Sequence, residues 1–164
     1  MLVIVAIISK IPKSFMHRDF HSRNLMVTSE KNPGVLDYQD AVIGPITYDI
    51  ASLLKDCYVA WDDETIYSMT SSFFSKIEKR HEIVYDEFEY WFDITGLQRH
   101  LKAIGIFSRL NYRDNKSNYL GDIPRTLNYV TKMLENGWLG SKSGQGFYKK
   151  TKDEETVAWG GRAV

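Results

Sequence analysis

The chain has one cysteine, Cys57, and four prolines in 164 residues, and its 21 Lys+Arg are cancelled by 21 Asp+Glu. A single thiol excludes an internal disulfide framework and any multi-cysteine metal site, and fits a reducing, cytoplasmic compartment. Zero net charge leaves no field to hold a nucleic acid backbone or an anionic membrane surface, so neither partner is expected. Long apolar runs are also lacking. The opening MLVIVAII is only eight residues, short of a bilayer span, with neither a basic leader nor a small-residue cleavage site. It reads as the tail of a buried helix, with a short signal-like segment as the alternative. The length suits one domain with its own core and leaves little room for a second complete one.

At 43% hydrophobic and 26% charged residues, the composition is that of a soluble globular domain. KSFMHRDF reads as a strand entering a polar loop, and NLMVT, SEKNPG and VLDYQ as a hairpin around a Gly/Pro/Asn turn, the one clear β signal. From Thr47 onward, apolar residues recur at three- and four-residue steps: Ile50, Leu53 and Leu54, then Ile66, Met69, Phe73, Phe74 and Ile77. A third helix carries Phe88, Trp91 and Phe92, and a fourth carries Leu97, Leu101, Ile104 and Leu110, with Gly96 as the break between them. The expected fold class is α+β, mainly helical, and most aromatic side chains on these helices are expected to fill the core. A composition shift near Lys132 divides a helical part, residues 1–131, from a Gly/Lys-rich tail, residues 132–164, whose end WGGRAV is expected to fray. Cys57 reads as a small buried thiol and His81, in KIEKRHE, as part of a helix end in water.

The stretch HRDFHSRN sets His17, Arg18, Asp19 and Asn24 at the spacing of a kinase catalytic loop, and Asp37 follows at the end of the hairpin. Phosphoryl transfer needs a carboxylate beside the attacking hydroxyl and further oxygen ligands for the magnesium that neutralises the phosphates. Asp19 can meet the first need, and Asn24 and Asp37 the second, because a loop leading into a hairpin returns Asp37 beside Asn24. The competing reading makes Asp19 and Asn24 turn formers and Asp37 a strand terminator.

With LDYQDAVIGPITYDIA supplying Asp37, Gly44, Asp49 and Ala51 as a second signature, residues His17 to Ala51 resemble the aminoglycoside phosphotransferase family, which shares the protein kinase fold. The resemblance implies the carboxy-terminal lobe of that fold, with ATP and Mg2+ as cofactors. It makes Asp19 the catalytic base within His17-Arg18-Asp19, Asn24 and Asp37 the magnesium ligands, and Asp49 the residue that hydrogen-bonds the catalytic loop. A carboxylate in a first helical turn is also stabilised by the helix dipole, so Asp49 has a local reason to stand there as well. From about Ile11 to Val130 the chain resembles the cell-wall sugar kinases of this superfamily, which phosphorylate the anomeric hydroxyl of N-acetylmuramate and N-acetylglucosamine in peptidoglycan recycling. A sugar substrate is therefore expected. Gln98, Arg99 and His100 are candidates to line its pocket or, equally, to form a solvated helix face. His21 is a candidate substrate contact or a solvated loop histidine.

A complete enzyme of this type also needs an amino-terminal lobe with a phosphate-covering loop and a strand lysine. No such pattern stands before His17, so weak activity, or a non-catalytic remnant that binds a sugar or a partner, is expected. Apolar surface that such a lobe would cover favours self-association. In the tail, Met133 to Lys150 resembles the terminal segment of 3-hydroxyacyl-CoA dehydrogenases through Gly137, Leu139, Gly140, Lys142, Gly144, Gly146, Phe147 and Tyr148. The dinucleotide domain and catalytic His-Glu pair of that family are lacking, which implies a fused fragment without dehydrogenase activity.

Overall fold

The structure, a computed structural model, describes residues 2–135, 148–150 and 155–157. Helix α1 (Leu2–Ile8) leads into strand β1 (Lys13–Met16) and the polar loop, which ends in a single 3-10 turn at Ser22–Asn24. Strands β2 (Leu25–Met26) and β3 (Gly34–Val35) follow, then β4 (Val42–Pro45) and the short helix α2 (Tyr48–Leu54). Three longer helices complete the body: α3 (Asp63–His81), α4 (Tyr85–Asp114) and α5 (Ile123–Glu135). The architecture is mainly helical with small two-stranded sheets.

Two antiparallel ribbons set the site. Leu25 pairs with Val35 and Met26 with Gly34, and the amide of Leu36 continues the ladder by donating to the Asn24 carbonyl at 2.9 Å. The residue after Leu36 is Asp37, so the register sets Asp37 next to the residue that pairs with Asn24. The second ribbon joins β1 to β4, with Phe15 opposite Ile43 and Met16 opposite Val42. Sequence reading had no partner for β1, because four residues interrupted by Gly44 and Pro45 give almost no alternation to detect. This ribbon carries the start of α2 to the end of β1. Its outward face is apolar, with Phe15 and Ile43 both exposed.

Two expectations are corrected. Helix α1 is not deeply buried: none of its side chains from Ile4 to Ile8 is fully enclosed, and Val5 is 56% exposed. Nor does Gly96 break a helix. α4 runs through it for 30 residues, and a Cβ placed on Gly96 would overlap Cδ of Lys55. Glycine leaves room there for the Lys55 side-chain stem, and the cost to helix propensity is accepted inside a long, packed helix.

The α2–α4 seam is polar as well as tight. The hydroxyls of Thr47 and Thr95 meet at 2.7 Å, both fully buried. Lys55 Nζ donates to Asp93 Oδ1 at 2.6 Å and sits 4.2 Å from the Phe92 ring centre. Burial pulls the Lys55 pKa down and the Asp93 carboxylate opposes that pull. Around this seam lie the apolar clusters: Ile50, Ala51, Leu53, Leu54 and Phe92 on one side, and Ile11, Ile46, Ile83 and Phe88 on the other. A smaller cluster of Leu97 and Val130 joins α4 to α5. Aromatic residues fill much of these interiors, with Phe88 in contact with Phe73, Phe74, Tyr85 and Phe92. Tyr112, by contrast, is 92% exposed.

Helix α3 is an amphipathic surface helix with a complete set of end signals. Asp62 accepts from the Thr65 amide at 2.7 Å, acidic residues fill the first turn, and Lys79, Arg80 and His81 occupy the last. His81 thus stands at a helix end, as expected. No helix among the described residues is long and apolar enough to cross a membrane. Beyond Glu135, strands β5 (Tyr148–Lys150) and β6 (Glu155–Val157) are described, paired antiparallel. The other residues that carry the dehydrogenase resemblance after Glu135, and the frayed end, lie outside the described residues.

Two predictions follow from the seam. Ala at position 96 should destabilise the chain by about 1–2 kcal/mol in urea denaturation, because displacing the ion-paired Lys55 outweighs the gain of about 1 kcal/mol in helix propensity. The second concerns His100, whose Nε2 is 3.0 Å from the Lys55 carbonyl and must therefore carry the proton. Burial lowers its pKa from 6.5 to about 4, so the unfolded chain takes up a proton that the folded chain refuses. Stability should fall as pH drops from about 6.5 towards 4, by about 2 kcal/mol at pH 5 relative to pH 7. His100→Asn should flatten that slope, as read from denaturation midpoints at the two pH values.

Candidate active site

The loop from His17 to Asn24 owes its shape to three side chains. Asp49, in the first turn of α2, accepts from the His17 amide through Oδ2 at 2.7 Å and from the Arg18 amide through Oδ1 at 3.1 Å. Arg18 has φ = 79°, a left-handed conformation costly for an arginine, and the clamp on its amide offsets that cost. Asp56, two residues past the end of α2 and buried, accepts from the Ser22 amide at 2.9 Å and from the Tyr58 amide at 2.9 Å. Asn24 Nδ2 donates to the Asp19 carbonyl at 2.9 Å. The two ends of one short helix and the last residue of the loop therefore fix the backbone on either side of Asp19.

The individual side chains divide by environment. Asp19 is partly exposed and lines a cavity of about 120 Å³. His17 is buried, packs edge-on against Phe20 at 5.8 Å, and has both ring nitrogens enclosed without a hydrogen-bond partner. Arg18 donates from Nη1 to the Asp40 carbonyl at 3.2 Å. These contacts give His17 and Arg18 a place in the scaffold of the loop, whereas the sequence grouped them with the reacting carboxylate. Asp37 is exposed, has φ = 64°, which aspartate tolerates, and accepts from Gln39 Nε2. Among the described residues, no group of three or more His, Cys, Asp or Glu side chains is arranged to hold a metal ion.

The cavity lies between the loop, the Asp56–Tyr58 segment after α2, and a stripe of α4 in which Arg99, Lys102 and Ile106 fall on successive turns. His21 and Arg99, both expected from the sequence, are in its wall. Gln98 and His100 lie outside it. His100 faces the Lys55 carbonyl and stacks on Tyr129 at 5.2 Å, so it belongs to the core and neither lines the pocket nor meets solvent. Burial lowers the His21 pKa, with Asp56 opposing, so the ring is neutral at pH 7. Tyr58 was not anticipated. It meets His21 edge-on at 5.4 Å and Phe107 at 6.3 Å, and receives the Arg23 guanidinium on its face at 3.6 Å. The sequence signal for the α4 wall was available: Arg99, Lys102 and Ile106 continue one face of a helix. Asp56 and Tyr58, in a loop without period, offered none. Cys57 also borders the cavity, and burial raises its pKa, which keeps it a thiol.

A carboxylate in the wall of a cavity, on a loop braced by a helix-borne aspartate and followed by a hairpin ending in a second aspartate, is the arrangement that the resemblance leads one to expect. Residues 3–82 match the phosphotransferase enzyme family. Over these residues the chain is similar to that family. The phosphotransferase match ends with α3, so the α4 wall of the cavity lies beyond it, and there the relatives extend the comparison. The chain is 47% identical over 125 residues to the N-acetylmuramate/N-acetylglucosamine kinase of Neisseria meningitidis serogroup B, which covers 74% of this chain and 37% of that protein. It is 45% identical over 126 residues to the kinase of the same name in Pseudomonas putida, covering 75% and 37%. The protein of that name in Caulobacter vibrioides is 31% identical over 120 residues, covering 71% and 32%. The chain thus spans about a third of the length of the curated relatives it matches.

The clamp can be tested directly. Asp49→Asn sets an amide donor against one of two backbone donors, and should cost about 2 kcal/mol in denaturation. Hydrogen exchange at the His17 and Arg18 amides should accelerate at least as much as that at other loop amides. Unchanged protection at these two positions would remove the clamp from its role.

Proposed function

We propose that this chain is the acceptor-binding part of an ATP-dependent phosphotransferase that phosphorylates a hydroxyl of an amino sugar, with N-acetylmuramate and N-acetylglucosamine as the first candidates. The observation that carries the reading is the position of Asp19, in the wall of the cavity and on a loop braced from both sides. A hydroxyl of a sugar in that cavity would give its proton to the Asp19 carboxylate as its oxygen bonds to the γ-phosphorus. The bond from that phosphorus to the bridging oxygen breaks, and ADP leaves with the electron pair. The printed names of the relatives supply the candidate sugars.

The residues present fit a magnesium ion. Asn24 commits its amide nitrogen to the Asp19 carbonyl, which leaves its oxygen as a ligand, and Asp37 follows Leu36, the residue whose amide donates to the Asn24 carbonyl. Two protein oxygens suit magnesium, which keeps several waters and takes further ligands from phosphate. When bound, the ion neutralises charge on the phosphates being transferred. Asn24 and Asp37 would hold it, and Asp49 would preserve the geometry that lets them do so.

A second reading has support in the limited span of the match: the chain binds the acceptor, and transfer requires further protein. Phosphoryl transfer depends on positioning and charge stabilisation, so an acceptor site with incomplete nucleotide contacts would act slowly. Phosphorus NMR of the chain with Mg-ATP and either sugar separates the two. A sugar phosphate formed by the native chain and reduced at least a hundredfold by Asp19→Asn is expected if the chain is competent alone. Sugar binding without product favours the second reading, and absence of both would refute each of them.

A further inference from the structure

We propose that Arg99 and Lys102, one turn apart on α4, form an anion-recognition subsite in the cavity, which selects carboxylate-bearing acceptors over neutral ones. The inference rests on the sugar-kinase reading and adds to it the residues that discriminate between acceptors. Both cations stand in the cavity wall, and both are anchored on one buried residue, Tyr48. The Arg99 guanidinium lies 4.9 Å from the centre of the Tyr48 ring, and Lys102 Nζ approaches the Tyr48 hydroxyl at 3.4 Å. Arg99 Nη1 reaches towards the Arg18 carbonyl at 3.4 Å, which ties its head to the loop that carries Asp19. A guanidinium and an ammonium one turn apart in a cavity wall can hold a carboxylate through charge-assisted hydrogen bonds.

The other charges around the cavity leave this role to Arg99 and Lys102. Both oxygens of Asp56 are engaged by backbone amides, and His21 is held neutral by burial. Asp19, at the loop end, would repel an acceptor carboxylate and so favours an orientation with the reacting hydroxyl towards the loop and the anion towards the α4 cations. Next to these cations on the same face, Ala103, Ile106 and Phe107 supply an apolar wall suited to the carbon skeleton of a sugar substituent. N-acetylmuramate carries a lactyl carboxylate that N-acetylglucosamine lacks, so the two candidate acceptors differ in the group this subsite would read.

Calorimetric binding to the full chain tests the inference without requiring transfer. The ligands are N-acetylmuramate, its methyl ester and N-acetylglucosamine. The variants are Lys102→Met, which alters an exposed side chain of matching length, and Lys102→Arg as the charge-preserving control, with unfolding midpoints checked for each. The expected result is that the free acid binds about tenfold more tightly than the two neutral ligands, or about 1.4 kcal/mol. That margin should fall below twofold in Lys102→Met and survive in Lys102→Arg. Equal affinity for acid and ester, or a loss in Lys102→Met that is the same for all three ligands, overturns the subsite and leaves the sugar-kinase reading standing. Binding of none of the three by folded protein overturns that reading, and the subsite with it.

Discussion

Two carboxylates at the ends of one short helix govern this chain. Asp49 and Asp56 lie seven positions apart, and between them α2 contributes most of the central apolar cluster. Each places both of its oxygens on backbone amides, three of which belong to the loop between β1 and β2. A loop has no ladder of its own to satisfy its amides, and a left-handed arginine would otherwise relax to a commoner conformation. Rigid burial of α2 turns these hydrogen bonds into a fixed frame around Asp19.

That frame depends in turn on how α2 is seated. The seam with α4 pairs Thr47 with Thr95, Lys55 with Asp93, and the Lys55 carbonyl with His100, and the absence of a side chain at Gly96 admits the lysine stem. Buried polar contacts contribute less to net stability than apolar packing of equal volume, but they tolerate only one register, because a slip would strand each group unpaired. Register is what the site needs. The same α4 that receives α2 also supplies Arg99, Lys102 and Ile106 to the cavity, so one interface fixes both the loop and the wall opposite it.

Much of the loop and hairpin was legible in the chain because their geometry is local. HRDFHSRN and the hairpin that follows it lie within a few residues of one another, and turn residues at fixed offsets announce the return of Asp37 towards Asn24. Asp49 is marked by the family resemblance, and its place in a first helical turn gives it a local reason to stand there as well. His100 differs from its expected place because residue type shows that an imidazole can bind a ligand or face solvent, whereas only its surroundings show that it is walled in. Gly96 was misjudged because glycine marks both helix ends and close packing, and the two differ only in what approaches from elsewhere.

The sequence by itself determined the helical periods, the loop with its hairpin, and the residue types able to hold magnesium and take a proton, since each depends on neighbours within a turn or a hairpin. The tertiary structure decided the rest. It paired β1 with β4 across 25 intervening residues, set Asp56 against Ser22, placed Tyr58 beside His21, and divided the polar run at 98–100 into one residue that lines the cavity and one that braces the core. These contacts join segments without a shared period. They arise only when α2 and α4 bury their common face, and that burial is a property of the whole fold.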